Sequence, residues 1–119
     1  MSTSERFVVE HRPEELRYAL VDRGEDGTGT AVVGEETYVD VSTDAGTDRV
    51  MYHTGVSEEY GGQGLASVLV RAAVDDTIAA GHKIVPVCPY VAAWAKKHPD
   101  LGDHFVPRRP EHLRAVKSL

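Results

Sequence analysis

Only one cysteine, Cys88, occurs in the 119 residues of this chain. An intrachain disulfide framework is therefore excluded, and the usage fits a reducing compartment. Basic residues are also scarce. Lys and Arg number 13 against 19 Asp and Glu, a formal net charge of −6. That balance argues against a nucleic-acid partner bound through a basic face. It suits a cationic partner such as an amine, although acidic surface also serves solubility alone. No apolar run approaches transmembrane length, and nothing near the start has the hydrophobic region of a signal peptide. The expectation is a cytoplasmic protein with no membrane partner. His98, His104 and His112 lack metal-ligand spacing, so no metal is expected. Repeats, low-complexity tracts and linkers are missing too.

What is present suffices for a single domain over 1–119. The sequence is 41% hydrophobic and 27% charged, enough for a core and too apolar for global disorder. That core is modest at this length, and supports a sheet backed by very few helices.

Strand-like segments come first. Arg6–His11 and Leu16–Asp22 are separated by the turn Arg12-Pro13-Glu14-Glu15, and Gly24–Gly29 is a polar hairpin loop. Thr30–Val41 suits a strand bent near Gly34. Asp44–Asp48 closes another hairpin, and Arg49–Val56 is a fourth strand, so the opening half is an antiparallel meander. A helix is predicted over about Gly62–Ala80, with Gly81 following it. Its apolar residues form two stripes, Leu65-Val68-Leu69-Ala72-Ala73-Ala80 and Val70-Val74-Ile78. Two stripes imply burial on more than one side, with Asp76 as a blemish at a wetter margin. Lys83–Val87 reads as a strand parallel to its predecessor, demoted by Pro86 towards an edge or a splayed position. Tyr90–Lys97 is a short second helix stopped by His98-Pro99, and Pro110–Lys117 supplies one or two further helical turns.

Between the fourth strand and the long helix lies Gly61-Gly62-Gln63-Gly64-Leu65-Ala66. A glycine turn feeding a helix N-terminus lets backbone N–H groups approach an anion closely. The helix dipole adds roughly 0.3–1 kcal/mol for negative charge there. The expected cargo is a phosphate or pyrophosphate. A Walker-type loop is excluded, because Leu65-Ala66 stand where Lys-Ser/Thr belongs. A dinucleotide fingerprint is excluded as well: Ile84 and Val85 occupy the place of the ribose-binding acid, and a meander precedes the motif. A coenzyme A pyrophosphate site remains.

His53-Thr54-Gly55-Val56, the glycine turn, Leu69-Val70-Arg71-Ala72-Ala73 and Val85-Pro86-Val87-Cys88-Pro89-Tyr90 through His98-Pro99 together resemble the GNAT superfamily of acetyl-CoA-dependent N-acetyltransferases. The likeness is to its minimal single-domain branch. It covers about residues 7–100 and leaves 101–119 as a C-terminal extension with a basic bias. The resemblance implies an α/β (α+β) fold: a mixed, mostly antiparallel sheet with splayed fourth and fifth strands, one long central helix and a short second one. It implies coenzyme A along Gly55 and Val56, with its pyrophosphate on N–H groups of Gly62, Gln63, Gly64, Leu65 and Ala66 and with Gly61 beside them in the cofactor site. Gly61 replaces the Arg or Gln common in the superfamily, so the grip should come from backbone.

Acetyl transfer to an amine needs a base, and the departing thiolate needs a proton. His53, on the strand that would carry the donor, is the candidate base, with a structural histidine as the alternative. Cys88 is the candidate acid or acetyl carrier, with a buried small hydrophobe as the alternative. Direct transfer and double displacement stay open. Pro89 and Tyr90 would wall the pantetheine, with a phenolic donor as the other reading of Tyr90, and Lys96 and Lys97 would either meet the 3′-phosphate or stay solvated at the helix end. The expected partners are acetyl-CoA and an amine acceptor, in a monomer or weak homodimer. A coenzyme-A-binding module without turnover is the alternative function.

Overall fold

The computed structural model describes residues 6–119; residues 1–5 of the expected domain lie outside them. Five strands form one sheet in the order β1-β2-β3-β4-β5: Phe7–Arg12, Arg17–Asp22, Ala31–Thr43, Gly46–Val56 and Lys83–Pro86. Three α-helices follow the meander, α1 over Leu65–Ala79, α2 over Pro89–Lys96 and α3 over Pro110–Lys117. The first four strands pair antiparallel, and β5 joins β4 in parallel after the α1 crossover. The expected turn at Arg12–Glu15 is a 3-10 turn over Pro13–Glu15. The hairpin between β3 and β4 is tighter than expected, because Thr43 already pairs with Gly46.

Two irregularities decide which side chains face which way. Between β2 and β3 the register shifts at Leu20/Val21, leaving Val33 as an extra residue beside Gly34, where the bend was expected. A Cβ on Gly34 would lie 2.9 Å from the Gly55 carbonyl, so only glycine lets the strands approach there. Between β3 and β4, Tyr38 pairs with Met51 but Thr37 with His53, so Tyr52 is a bulge. Without it His53 would share the face of Met51; with it, Thr54 does.

α1 lies on one face of the sheet. Leu65, Leu69, Val70, Ala73, Val74 and Thr77 are buried in one continuous surface against Tyr18, Leu20, Tyr38 and Met51. This corrects the expectation of burial on more than one side: Val68 is 37% exposed, and the two stripes merge into one face. Asp76 does lie at a wetter margin, about half exposed. It accepts a 2.7 Å hydrogen bond from the Tyr18 hydroxyl, which in turn accepts from Arg49 Nη1 at 2.8 Å. Arg49 is also paired bidentately with Asp40. Burial, the largest effect, pushes the Tyr18 phenol well above its ordinary range, so it stays a neutral donor.

The extension after Asp100 closes two open surfaces. Phe105 bridges to Ile84, Val106 N–H bonds to the Ile84 carbonyl at 2.8 Å, and so the free edge of β5 is partly covered. α3 then lies across β3 and β4 on the second face, with His112 fully buried beside Asp48.

Candidate active site

β5 is short for a chemical reason. Proline has no N–H, and the β4–β5 ladder ends where Pro86 pairs with Met51. The Met51 carbonyl then accepts from both Val87 N–H, at 3.1 Å, and Cys88 N–H, at 2.9 Å. Past that point β5 turns away into α2, which starts at Pro89 with Cys88 as its N-cap residue. β4 continues alone on that side through Tyr52–Val56. The splay leaves the backbone of Gly55 and Val56 without a neighbouring strand on the β5 side.

The glycine turn stands at the open end of this cleft. Gly62 and Gly64 take φ of 79° and 72°, left-handed values that glycine adopts at no steric cost. Gly64 is the N-cap of α1 and supplies no side-chain cap, so the N–H groups of the first helical turn are left for another acceptor. Gly61, Gly62, Gln63 and Gly64 are all exposed, and a Cβ on Gly62 or Gly64 would meet nothing within 4 Å. Beside the turn, a groove of about 470 Å³ runs between α1 and α2, lined by Gly64, Ser67, Val68, Arg71, Trp94, His98 and Asp100. The Arg71 guanidinium sits 5.7 Å from the centre of the Trp94 ring. Lys96 and Lys97 are exposed at the far end of α2 and do not line this groove.

Cys88 and His53 are not brought together. Cys88 is buried on the α1 face, and its Sγ lies 3.3 Å from Thr54 Oγ1. His53, turned over by the Tyr52 bulge, is exposed on the opposite face. Its ring lies over Gly55, where an added Cβ would be 3.0 Å from Nε2. Next to it is an open hollow of about 370 Å³ lined by Arg17, Val32, Gly34, Glu35, Gly55, Val56 and Ser57, among others. Tyr90 is 40% exposed at the start of α2. Among the described residues, no three His, Cys, Asp or Glu side chains stand close enough to hold a metal ion.

The family model described as GCN5-related N-acetyl-transferase matches residues 17–104, about three quarters of the chain. The chain belongs to the GCN5-related N-acetyltransferase family. No curated protein matches it. Of solved structures, a GCN5-like protein from Staphylococcus aureus is 24% identical with a TM-score of 0.60, over 90% of this chain and 95% of that one. Arabidopsis thaliana NAA60, in complex with a bisubstrate analogue, is 26% identical over 51% of this chain and 42% of its own, with a TM-score of 0.42. A ribosomal-protein-alanine N-acetyltransferase from Brucella melitensis is 18% identical over 72% and 62%, with a TM-score of 0.46. The S. aureus protein carries the likeness in fold: a mixed α/β domain around an open, mostly antiparallel five-stranded sheet.

Within this N-acetyltransferase fold, sequence reasoning missed Glu36 and Thr54. Glu36 has no exposed surface, although an acidic pair on a strand reads as solvated. Thr54 Oγ1 donates a hydrogen bond to Glu36 Oε1 from the paired position on β4, and Glu36 Oε2 has no partner. Desolvation by burial, reinforced by repulsion from Glu35, pushes the Glu36 carboxyl up to about 8 from 4.5. The Thr54 hydroxyl and the His53 backbone N–H pull the other way without offsetting it.

A stability window follows. Between about pH 4.5 and 8 the folded state keeps a proton that the unfolded chain has lost, so stability falls as pH rises across that range. Glu36→Gln removes the titration. Wild-type stability measured against this variant by urea unfolding will therefore fall by about 3 kcal/mol from pH 5 to pH 8. A pH-independent difference between the two proteins would show that Glu36 is not held neutral.

Proposed function

We propose that this chain is an acetyl-CoA-dependent N-acetyltransferase that passes the acetyl group to a primary amine on a small molecule, peptide or protein lysine. The observation that carries the reading is the continuous path along the splayed β4 edge. It starts at the uncapped glycine turn, passes the unpaired backbone of Gly55 and Val56, and ends where Cys88 begins α2. Pyrophosphate on the N–H groups of Gly62–Ala66 is supported by the positive φ of Gly62 and Gly64 and by the helix dipole behind them. The groove between α1 and α2 suits the nucleotide end, with Arg71 in the phosphate role first given to Lys96 and Lys97. Pantetheine hydrogen-bonds to the free β4 edge as a strand would, walled by Pro89 and Tyr90.

On this reading donor and acceptor meet from opposite faces of the sheet. The thioester lies in the gap beside Cys88. The amine enters from the second face, through the hollow at Gly55 and Ser57, beside which the His53 ring lies over Gly55 and can take the proton that attack releases. Separate faces explain why the two catalytic candidates need not touch. Cys88 supplies the proton to the departing thiolate, or itself carries the acetyl group.

Calorimetry with coenzyme A and thiol release from acetyl-CoA against a panel of amines and peptides test the proposal together. Binding with amine-dependent release is expected, and absence of coenzyme A binding would sink it. Gly64→Val places a β-branched residue at φ 72° and points its side chain into the anion site. That variant will bind coenzyme A about tenfold more weakly, a loss of about 1.4 kcal/mol. Undiminished affinity would mean that the pyrophosphate is held elsewhere.

A further inference from the structure

The side chains of Glu36, Thr54 and Cys88 form a line through the protein interior, drawn from β3, from β4 and from the turn after β5. Thr54 Oγ1 stands in the middle, hydrogen-bonded to Glu36 Oε1 and 3.3 Å from Cys88 Sγ. Glu36 has no exposed surface and its Oε2 is unpartnered, so its carboxyl has neither solvent nor a counter-ion. A buried oxygen without a partner costs about 1–3 kcal/mol. Packing at this position needs only an apolar residue, and would avoid that cost. Nothing structural requires an acid here, whereas a thiol at the far end of the line gives it a task.

We propose that Glu36 is the proton acceptor that converts Cys88 to its thiolate, acting through the Thr54 hydroxyl; the proposal rests on Cys88 being a reacting residue. The step is a two-proton shift. The Cys88 S–H bond breaks as its proton joins Thr54 Oγ1, and the Thr54 hydroxyl proton passes to Glu36 Oε1. One negative charge leaves the carboxylate and appears on Sγ, while Thr54 ends as it began. The reverse shift returns the proton to sulfur when the reaction is over. Above about pH 8, once Glu36 has lost its own proton, no charge is created within the apolar cleft, because the charge already there changes place. Glu36 touches no substrate on this account and is a positioning residue for the proton.

The neighbours leave this pair isolated. From β2, Tyr18 pairs with Glu36 across the ladder, but its hydroxyl is bonded to Asp76 and Arg49. From β3, Glu35 lies on the other face in an ion pair with Arg17. From β4, His53 offers only its backbone N–H, its ring being on the far side. The faces that α1 and α2 bury carry no titratable side chain. The upward displacement of Glu36 to about 8 places loss of the shared proton at mildly alkaline pH, and the titration belongs to the pair.

Because Cys88 is the only cysteine, alkylation by iodoacetamide reports on it alone. The full chain needs neither acyl donor nor acceptor for this measurement, so its outcome is separate from that of coenzyme A binding. Rates are read from pH 6 to pH 10.5, and the plateau at high pH corrects each variant for accessibility. Relative to its own plateau, Cys88 at pH 8 will react about tenfold more slowly in Glu36→Gln and in Thr54→Val than in wild type. Thr54→Ser, which keeps the hydroxyl, will restore most of the rate. If both variants keep the wild-type pH profile, or if Thr54→Ser behaves as Thr54→Val does, the relay is wrong. A mere packing role would lower the plateau and leave the profile unmoved.

Discussion

Cys88→Ala will lower acetyl transfer by about 10²-fold or more while leaving coenzyme A affinity within about twofold. The magnitude is that of a lost proton-transfer or nucleophilic group. Affinity is spared because the contacts assigned to the cofactor come from backbone N–H groups at the glycine turn and from the free edge of β4. Alanine removes the sulfur, and with it the group that Thr54 touches at 3.3 Å. His53→Ala will reduce transfer through a different dependence on pH, since its ring is exposed on the other face and has no contact with Thr54 or Glu36. Mass spectrometry of the intact protein, exposed to acetyl-CoA before any acceptor, separates the two routes. An added acetyl group that Cys88→Ala loses supports double displacement; unmodified protein with full activity supports direct transfer. Undiminished transfer by Cys88→Ala would reduce Cys88 to a small buried hydrophobe.

The β4–β5 cleft was legible in the sequence because single residues dictate it. Pro86 cannot donate to a ladder, and it ends the strand pairing at Met51. Gly62 and Gly64 are needed where φ is positive, and Gly34 where two strands come close. These are local demands, readable from one residue and its neighbours. The inside of the cleft was not legible for the opposite reason. Whether His53 or Thr54 shares a face with Cys88 depends on the bulge at Tyr52, which appears only in the pairing of β3 with β4. Alternation along Glu35-Glu36-Thr37-Tyr38 does put Glu36 on the face of Tyr38. That signal was available, yet it does not say what lies 18 residues further on, where Thr54 meets it. Asp76 was legible only as a residue at a wetter margin, where it indeed lies. It falls on an apolar stripe by spacing, and its bonds to Tyr18 and Arg49 appear only in the tertiary structure.

The extension beyond Asp100 contributes to the site indirectly, through a buried pair that mutation can break. His112→Ala will destabilise the protein by about 3 kcal/mol, the cost of leaving a buried carboxylate and a helix-start N–H without the neutral imidazole that bonds both. His112 has no exposed surface, and its Nε2 lies 2.9 Å from Asp48 Oδ2. Nδ1 accepts the Arg109 backbone N–H at 2.9 Å, so the other ring nitrogen carries the hydrogen that Asp48 receives. The alanine variant leaves Asp48 beneath α3 with no donor, and the Arg109 N–H at the helix start with no acceptor. For a chain of this size each kcal/mol lowers the melting temperature by roughly 4 °C, so thermal unfolding reads the effect directly. Adding Asp48→Asn to His112→Ala will recover about 1–2 kcal/mol, because a neutral amide is cheaper to bury than a lone carboxylate. A loss below about 1 kcal/mol would show the pair to be weakly coupled to the fold. Asp48 also pairs with Lys83 at the start of β5, and Val106 bonds to Ile84 one residue further on. Loosening α3 therefore reaches the strand whose end sets the position of Cys88. The variant should lose acetyl transfer at temperatures several degrees below the point where its helices melt.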